Sequence, residues 1–364
     1  MAHADVVIPR EAVHTGPGIW RGADLEREGG WVLRFPLEAL EKIDAALRGI
    51  EKRGLAAPAF GKEDFPLPGL GGLLRGILDE LEQGRGFVLM RGFPVGLYTE
   101  AQAEIIFWGL GRHLGIPLSQ NADGHLLGHV RNLGLDINQT NVRAYQTTAE
   151  LIFHNDQSDV IALMCLKTAK SGGLSRVVSV TAIQNEIQRR RPDLVPELYG
   201  QFYIDRRGER GRDDEGDEPY YAMPMLSYYQ GMVTARYIRG YIQSAQRFPE
   251  VPRLTAKQTE ALDLFDSIAN EDGMAIGFHM EPGDIQLLNN YCVLHARTNF
   301  EDWEDIASRR HLLRLWLATP NSRQLPPCFE KRFGSCAPGV MRGGIPPHAR
   351  PAGARAEKFQ LDRV

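Results

Sequence analysis

Cysteine is scarce in this sequence, and its four cysteines form no paired motif. Cys165 and Cys292 lie inside apolar runs and are predicted to be buried thiols, whereas Cys328 and Cys336 lie in a Pro/Gly-rich C-terminal stretch. Their spacing does not match a zinc knuckle. A chain of 364 residues can bury a sizeable core without covalent help, so a disulfide framework is not expected.

An excess of charge and long hydrophobic runs are also lacking. The chain carries 42 Lys and Arg against 46 Asp and Glu, which gives a net charge of −4 and no basic field to hold a nucleic acid. No run reaches the ~18 apolar residues that a membrane span needs. The first residues also lack the apolar centre of a signal peptide. We therefore expect a soluble, cytoplasmic protein that binds neither nucleic acid nor a membrane.

Glycine (38) and proline (22) are, in contrast, abundant. This composition favours many short strands joined by turns over a helical bundle. After residue 140 the apolar runs become short and rich in β-branched and aromatic residues, which is typical of strands. Helical periodicity predicts helices over 36–53, 70–82, 99–114, 182–199 and 255–271, and Pro192 is expected to break the fourth of them. The predicted fold is mainly β with flanking helices.

The candidate chemistry centres on His154 and Asp156, which are two residues apart in a predicted strand. Such residues point to the same face, so the strand presents an imidazole and a carboxylate side by side. This pair supplies two thirds of a 2-His-1-carboxylate triad, which leaves three coordination sites of Fe(II) open. The pair alone also fits two surface side chains at a strand edge. His295, at the end of an apolar run that follows the turn 281–284, is the candidate third ligand.

Two arginines follow in a second apolar segment. Arg310 and Arg314 are four residues apart in a strand-like run of leucines, so both face the same side. Arginine is rarely buried without an anionic partner. The partner is either a carboxylate of the protein or a carboxylate of a ligand, which a guanidinium can bind through two hydrogen bonds.

The order of these motifs resembles the Fe(II)/2-oxoglutarate-dependent dioxygenases of the taurine dioxygenase (TauD/TfdA) group, which includes clavaminate-synthase-like enzymes. The resemblance covers residues 70–320, roughly, and includes the Gly-Gly-Leu-Ser segment at 172–175. It implies that His154, Asp156 and His295 are the iron ligands.

The same resemblance assigns the neighbouring polar residues. It implies that Ser175 and Arg310 hold the distal carboxylate of 2-oxoglutarate, and that Arg314 binds an anionic group of the substrate. Arg309, which is adjacent, leaves open which arginine contacts the co-substrate. Asp156 argues against halogenation, because related halogenases have a small residue at that position.

The fold implied by the resemblance is a double-stranded β-helix, or jelly-roll barrel. We expect an N-terminal extension (1–35), a single catalytic domain (36–320) with a long insert at about 182–280, and an extended, Pro/Gly-rich C-terminal tail (321–364). The charged run 206–218 fits either a solvated loop or a lid over a ligand. The oligomeric state, with a homo-oligomer as one option, is left open.

The implied activity is hydroxylation of an unactivated C–H bond in a small, carboxylate-bearing substrate, such as an amino acid or a specialised-metabolite intermediate. Fe(II) is the implied cofactor, with 2-oxoglutarate and O₂ as co-substrates. Desaturation and ring closure by the same chemistry are alternatives. A cupin-like metal-binding protein or a metal-dependent hydrolase is an alternative from another class. His125 and His129 are spaced i, i+4 but lack the glutamate of an HExxH zinc-protease motif.

Overall fold

Two facing β-sheets with helices on their outer sides form the body of the protein. The computed structural model describes residues 13–135, 144–209 and 218–347. The helices are α1 Gly22–Glu28, α2 Leu37–Lys52, α3 Gly71–Glu82, α4 Glu100–Leu114, α5 Val180–Arg190, α6 Val195–Leu198, α7 Arg239–Ala245, α8 Ala256–Ala269 and α9 Glu330–Phe333. The strands are β1 Val32–Arg34, β2 Phe87–Arg91, β3 Ile116–Pro117, β4 Leu127–Arg131, β5 Leu151–His154, β6 Val160–Lys167, β7 Ser171–Gly172, β8 Ser175–Ser179, β9 Gln201–Asp205, β10 Tyr220–Pro224, β11 Leu226–Tyr229, β12 Met232–Ala235, β13 Ile276–Phe278, β14 Ile285–Asn289, β15 Val293–Arg297, β16 Phe300–Glu301 and β17 His311–Ala318.

The larger sheet has the order β1-β2-β14-β6-β17-β3, with β4 also paired to β17. Every residue of β17 is buried, because both faces of this sheet are covered. Successive side chains of a strand alternate between faces. Leu313 and Leu315 therefore pack outward against the helices, whereas Leu312 and Trp316 pack inward.

The smaller sheet has the order β13-β8-β15-β5, and its described pairings are antiparallel. In this register His295 of β15 lies opposite His154 of β5. The pairing of β15 with β8 also places Arg297 opposite Ser175. The sheet therefore brings residues together that are more than a hundred positions apart in the chain.

Apolar clusters fill the spaces between these layers. One lies between the two sheets and includes Phe87, Ile161 and Val177. A second packs α2, α3 and α4 onto the outer face of the larger sheet, and a third packs α5 and α8 onto the smaller sheet. At one end of the space between the sheets, the inner faces carry polar side chains, and the candidate site lies there.

The predicted helices form with small differences at their ends. Thr99 and Thr255 accept from the backbone N–H three residues later in capping boxes, which explains where α4 and α8 begin. The predicted helix 182–199 is interrupted at Pro192, where the chain makes a single turn before α6. Proline lacks the N–H that a continuous helix requires.

The segment after residue 320 is packed rather than extended over its described part. Leu325, Phe329 and Phe333 are buried in the cluster on the smaller sheet, and Ile345 is buried between the sheets. Arg342, which has no exposed side-chain surface, forms an ion pair with Asp159. The domain boundaries predicted from the sequence stay a prediction, but the composition of this segment was a poor guide to its packing.

Two further predictions meet the limits of the described residues. Most of the charged run 206–218 lies outside them, so its role as loop or lid stays open. Within the described ranges, no helix is long and apolar enough to cross a membrane. The cytoplasmic location stays a prediction.

Candidate functional site

His154, Asp156 and His295 meet at one end of the space between the sheets. One ligand atom from each lies within 4.8 Å of those of the other two. His154 ends β5, Asp156 follows it by two residues, and His295 is the central residue of β15. The two imidazole rings are 4.3 Å apart between centroids, and Nε2 of His295 is 3.9 Å from Oδ2 of Asp156. The structure thus brings together the three residues that the sequence singled out.

The electrostatics of these three groups suit metal ligation. Burial, with a smaller contribution from His154, lowers the pKa of His295 to about 3, which keeps its imidazole neutral and able to ligate. Burial alone would raise the pKa of Asp156, but the nearby His295, His154 and Arg314 outweigh it and lower the pKa. Nδ1 of His154 is 2.8 Å from the carbonyl oxygen of Ile152. When Nδ1 donates to this carbonyl, Nε2 of His154 keeps its lone pair.

Two asparagines, which the sequence reasoning missed, hold the loop that carries Asp156. Asn290 accepts from the backbone N–H of Asp156 at 3.0 Å and donates to the carbonyl oxygen of Ser158. Asn155 is completely buried; its amide donates to the carbonyl oxygens of Ala235 and Asn290. Because these amides use both donor and acceptor groups, they fix the backbone on either side of the carboxylate.

Arg310 lies just before β17 and points into the same space. Its side chain is buried, and burial lowers the pKa of its guanidinium. Among the described residues, no carboxylate lies within 4.0 Å of its guanidinium. Of the two partners considered from the sequence, a carboxylate of the protein is therefore absent from this part of the structure. Arg309 instead points outward, where its Nε donates to the carbonyl oxygen of Trp303.

The segment Gly172–Ser175 forms the wall beside Arg310. Gly172 has φ +72°, and a Cβ there would lie 2.4 Å from the carbonyl oxygen of Asn299. Gly173 has φ +70°, and a Cβ there would contact Nε of Arg310 at 3.6 Å. The positive φ favours glycine at both positions, and at Gly172 the carbonyl oxygen of Asn299 also leaves no room for a Cβ. Ser175 follows at the start of β8 and lines the same cavity as Arg310.

Arg297 is a further arginine of this site that the sequence reasoning missed. It follows His295 by two residues on β15, so both side chains face inward. Arg297 and Arg310 both lie over the Phe300 ring, with guanidinium carbons 4.6 and 5.3 Å from its centroid. Burial and then the charge of Arg310 lower the pKa of Arg297 to about 9. The spacing of two from His295 was the signal that could have identified it.

Arg314 occupies an inward position of β17, one inward residue beyond Leu312. Its Nε donates to Oε1 of Gln120 at 2.6 Å, and its guanidinium lies 4.5 Å from the Tyr145 ring centroid and 5.3 Å from that of Trp316. In the part of the chain that the structure describes, it too lacks a carboxylate within 4.0 Å. A neutral amide and aromatic faces hold this cation in place without neutralising it.

These side chains line one cavity of about 450 Å³ between the sheets. The buried polar atoms of its lining that have no hydrogen-bond partner among the described residues include Nδ1 of His295, Nη1 of Arg297, Nε of Arg236 and Oε1 of Gln286. Buried polar groups are ordinarily satisfied. Several unsatisfied groups on one cavity are therefore what we expect of a site that completes its hydrogen bonds with a bound molecule.

The remaining candidates lie elsewhere. His279 is exposed, and His129 belongs to strand β4 rather than to a helix with His125. Cys165 is buried as predicted, and all four cysteines are free. Asp159 accepts from Tyr291 and from the backbone N–H of Thr319, which makes it a structural residue.

Comparison with known proteins agrees with this geometry. The chain is 32% identical to the FR-33289 synthase of Streptomyces rubellomurinus over 321 residues, which is 86% of this chain and 92% of that protein. Its fold is similar to that of an asparagine oxygenase in complex with Fe(II), 3-hydroxyasparagine and succinate (TM-score 0.60, 17% identity, 79% of this chain and 93% of the other). It is also similar to the non-heme iron oxygenase OrfP in complex with Fe and alpha-ketoglutaric acid (TM-score 0.57, 15% identity, 85% and 99%).

These likenesses confirm the predicted fold class, a mainly β double-stranded β-helix with flanking helices. Residues 52–316, which include every candidate ligand and Arg310, match the family described as "Taurine catabolism dioxygenase TauD, TfdA family". The chain therefore belongs to the TauD/TfdA family of dioxygenases.

Proposed function

We propose that this protein is an Fe(II)- and 2-oxoglutarate-dependent oxygenase that hydroxylates an unactivated C–H bond of a small, carboxylate-bearing molecule. The observation that carries the proposal is the meeting of His154, Asp156 and His295 on the same cavity as Arg310. A metal triad and a buried guanidinium that lacks a carboxylate partner are what a metal-bound dicarboxylate co-substrate requires.

The donor set fits Fe(II). Two neutral imidazoles and one carboxylate on one side of an ion leave the other coordination sites open. When bound, Fe(II) couples the oxidative decarboxylation of 2-oxoglutarate to the oxidation of a substrate C–H bond. The residues of this chain supply the ligation, the orientation of both organic molecules and the cavity that holds them.

Arg310 and Ser175 would hold the distal carboxylate of 2-oxoglutarate, and Arg297 would assist them. Arg297 already donates to the carbonyl oxygens of Ala149 and Thr147, so it is fixed in position, while its Nη1 remains without a partner among the described residues. Two adjacent buried cations repel each other, and an anion bound between or beside them offsets this electrostatic repulsion.

Arg314 would bind the anionic group of the substrate. It lies on the cavity beside the triad, and Gln120 and Tyr145 set its direction. The cavity of about 450 Å³ suits a molecule of amino-acid size together with the co-substrate. An amino acid or a specialised-metabolite intermediate fits these limits, and hydroxyasparagine in the asparagine oxygenase is consistent with the same substrate class. Desaturation and ring closure remain alternatives, because they need the same residues.

A metal-dependent hydrolase is the alternative from another class. A hydrolase would use the triad to activate water. It would have no need for Arg310 and Arg297 side by side in a buried position, and this observation favours the oxygenase.

The decisive experiment is an anaerobic titration of the purified chain with Fe(II) and 2-oxoglutarate. The oxygenase should develop the visible metal-to-ligand charge-transfer band, and His154→Ala should abolish it. His279→Ala, which changes an exposed histidine, is the matched control and should keep it. Absence of the band in the unmodified chain, or its persistence in His154→Ala, would overturn the proposal. Succinate release over a panel of amino acids and other carboxylates would then identify the substrate.

A further inference from the structure

His311 follows Arg310 directly but points to the opposite face of the larger sheet. The inward positions of this segment are Arg310, Leu312 and Arg314, which line the cavity. His311 therefore lies on the outer face, beneath the first turns of α4, and only 4% of its surface is exposed. A buried imidazole on this face takes no part in the site described above.

Three other side chains surround His311. His129 of β4 places its Nδ1 2.9 Å from Nε2 of His311. From α4, Oε2 of Glu100 is 3.6 Å from Nδ1 of His311, and Oε1 of Glu104 is 3.9 Å from Nε2 of His129. One ligand atom each from Glu100, His129 and His311 lies within 4.8 Å of the other two.

We propose that Glu100, His129 and His311 form a second metal site, separate from the triad, which takes Zn²⁺. Two imidazole nitrogens and a carboxylate oxygen are ligands that Zn²⁺ binds readily, with a fourth position for water or another oxygen. Bonds of about 2.0–2.1 Å in a tetrahedral arrangement place ligand atoms roughly 3.3 Å apart. Nδ1 of His129 and Nε2 of His311, the two nitrogens that face each other at 2.9 Å, need to separate by only a few tenths of an ångström. Glu100 now lies beside Nδ1 of His311, and its exposed side chain can rotate to bring a carboxylate oxygen to the same point.

The protonation of the imidazoles agrees with this assignment. Two ring nitrogens at 2.9 Å can share only one proton, so one of them presents a lone pair to the other. Burial lowers the pKa of His311 and outweighs the opposing charge of Glu100, which favours the neutral form that binds metal. Glu104 faces the other nitrogen of His129, in the position where a carboxylate commonly orients a histidine ligand.

The surrounding charges do not prevent cation binding. Arg131 and Lys167 lie opposite His311 on the two neighbouring strands and oppose a cation. Lys167 directs its ammonium group away, to the carbonyl oxygen of Ala307 at 2.6 Å, and Arg131 is exposed. The carboxylates of Glu100 and Glu104 offset these two charges. A bound ion would tie the N-terminal end of α4 to strands β4 and β17.

The test is the zinc stoichiometry of the full chain, measured by equilibrium dialysis and metal analysis after removal of metal with a chelator. The unmodified chain should bind two equivalents, because the triad also binds Zn²⁺. His154→Ala should bind one, His129→Gln should bind one, and the double variant should bind none. His279→Gln is the matched control and should bind two. Far-UV circular dichroism verifies that each variant is folded, and Glu100→Gln, at an exposed position, gives a second variant with the same expected loss.

The variants measure zinc binding at the two sites separately, so the second site can be refuted while the oxygenase proposal stands. If His154→Ala binds no zinc, or if His129→Gln and Glu100→Gln both keep two equivalents, the second site does not exist. If His154→Ala instead keeps all the zinc of the unmodified chain while His129→Gln loses one equivalent, the second site stands and the triad fails. Zinc should also raise the melting temperature of His154→Ala but not that of the double variant.

Discussion

The indole Nε1 of Trp316 donates a hydrogen bond to Oδ2 of Asp156 at a distance of 3.3 Å. Trp316 points inward from β17, the strand that also carries Arg314, whereas Asp156 follows β5 in the other sheet. The hydrogen bond therefore crosses the cavity and restricts the orientation of the candidate carboxylate ligand. Arg314 lies over the face of the same indole, 5.3 Å from its centroid.

Replacing Trp316 by phenylalanine should weaken Fe(II) binding. The ring that packs beneath Arg314 is kept, but the N–H that orients Asp156 is lost. Loss of such an outer partner typically costs about 10- to 100-fold in metal affinity. The dissociation constant for Fe(II), read from the charge-transfer band in an anaerobic titration, measures the effect. Trp303→Phe, at an exposed tryptophan, is the control, and equal constants for both variants would contradict the assigned role.

Replacing Arg310 by alanine should raise the 2-oxoglutarate requirement while the metal still binds. A charged hydrogen bond contributes about 1.5–3 kcal/mol, which corresponds to roughly 10- to 100-fold in the KM for 2-oxoglutarate. Arg309→Ala is the matched control, because that side chain points outward, and its KM should stay within about twofold of the original. An unchanged KM in Arg310→Ala would move the role to another arginine.

Replacing Arg342 by methionine should destabilise the fold. Its guanidinium, with no exposed surface, forms a 2.8 Å ion pair with Asp159 and connects the C-terminal segment to the strands behind the site. Removal of one member of a buried pair costs about 3–5 kcal/mol, because the other charge stays buried. Urea denaturation measures the free energy of unfolding. Arg27→Met removes an exposed ion pair and should cost less than about 1 kcal/mol; equal losses would refute the argument.

Glu82 should make the stability of this protein depend on pH. Burial raises the pKa of Glu82, and Arg323, at 2.6 Å, only partly opposes the effect. The carboxyl group of Glu82 therefore binds its proton more tightly in the folded chain than in the unfolded chain. As a result, the contribution of Glu82 to the free energy of unfolding falls as the pH rises above its ordinary pKa of about 4.5.

As the pH rises from 4.5 to 7, the free energy of unfolding of the unmodified chain should therefore fall relative to that of Glu82→Gln. Urea denaturation of both proteins at several pH values in this interval measures it. The exposed Glu41→Gln is the control and should track the unmodified chain at every pH. If the unmodified chain instead gains stability relative to Glu82→Gln as the pH rises, the pKa of Glu82 is lowered and not raised.

Part of the site was predictable from local patterns alone. His154 and Asp156 share a direction because their spacing of two is a property of any extended strand, and the same holds for Arg310 and Arg314. Arg297 and Trp316 could have been found by this rule, since each lies two residues from a candidate that the sequence singled out. Neither arginine nor tryptophan is a usual metal ligand, so residue type alone did not single them out.

Other parts of the site were not predictable. The choice between Arg309 and Arg310 depends on where the turn 306–308 ends and β17 begins, and sequence patterns place such boundaries poorly. Asn290 contacts the backbone of Asp156 from a position 134 residues away. The Pro/Gly-rich composition after residue 320 suggested an extended tail, although Phe329 and Arg342 are buried in its middle.

The sequence by itself determined the chemical types at the site, the faces on which they lie and the family that they resemble, because side-chain alternation and motif order are local properties of the chain. Only the tertiary structure decided that His295 lies beside His154, that Arg297 lies beside Arg310, and that His129 meets His311 behind them. These contacts depend on the register between strands distant in the chain. That register is set by the packing of whole faces of the sheets, so it cannot be read from any short segment of the sequence.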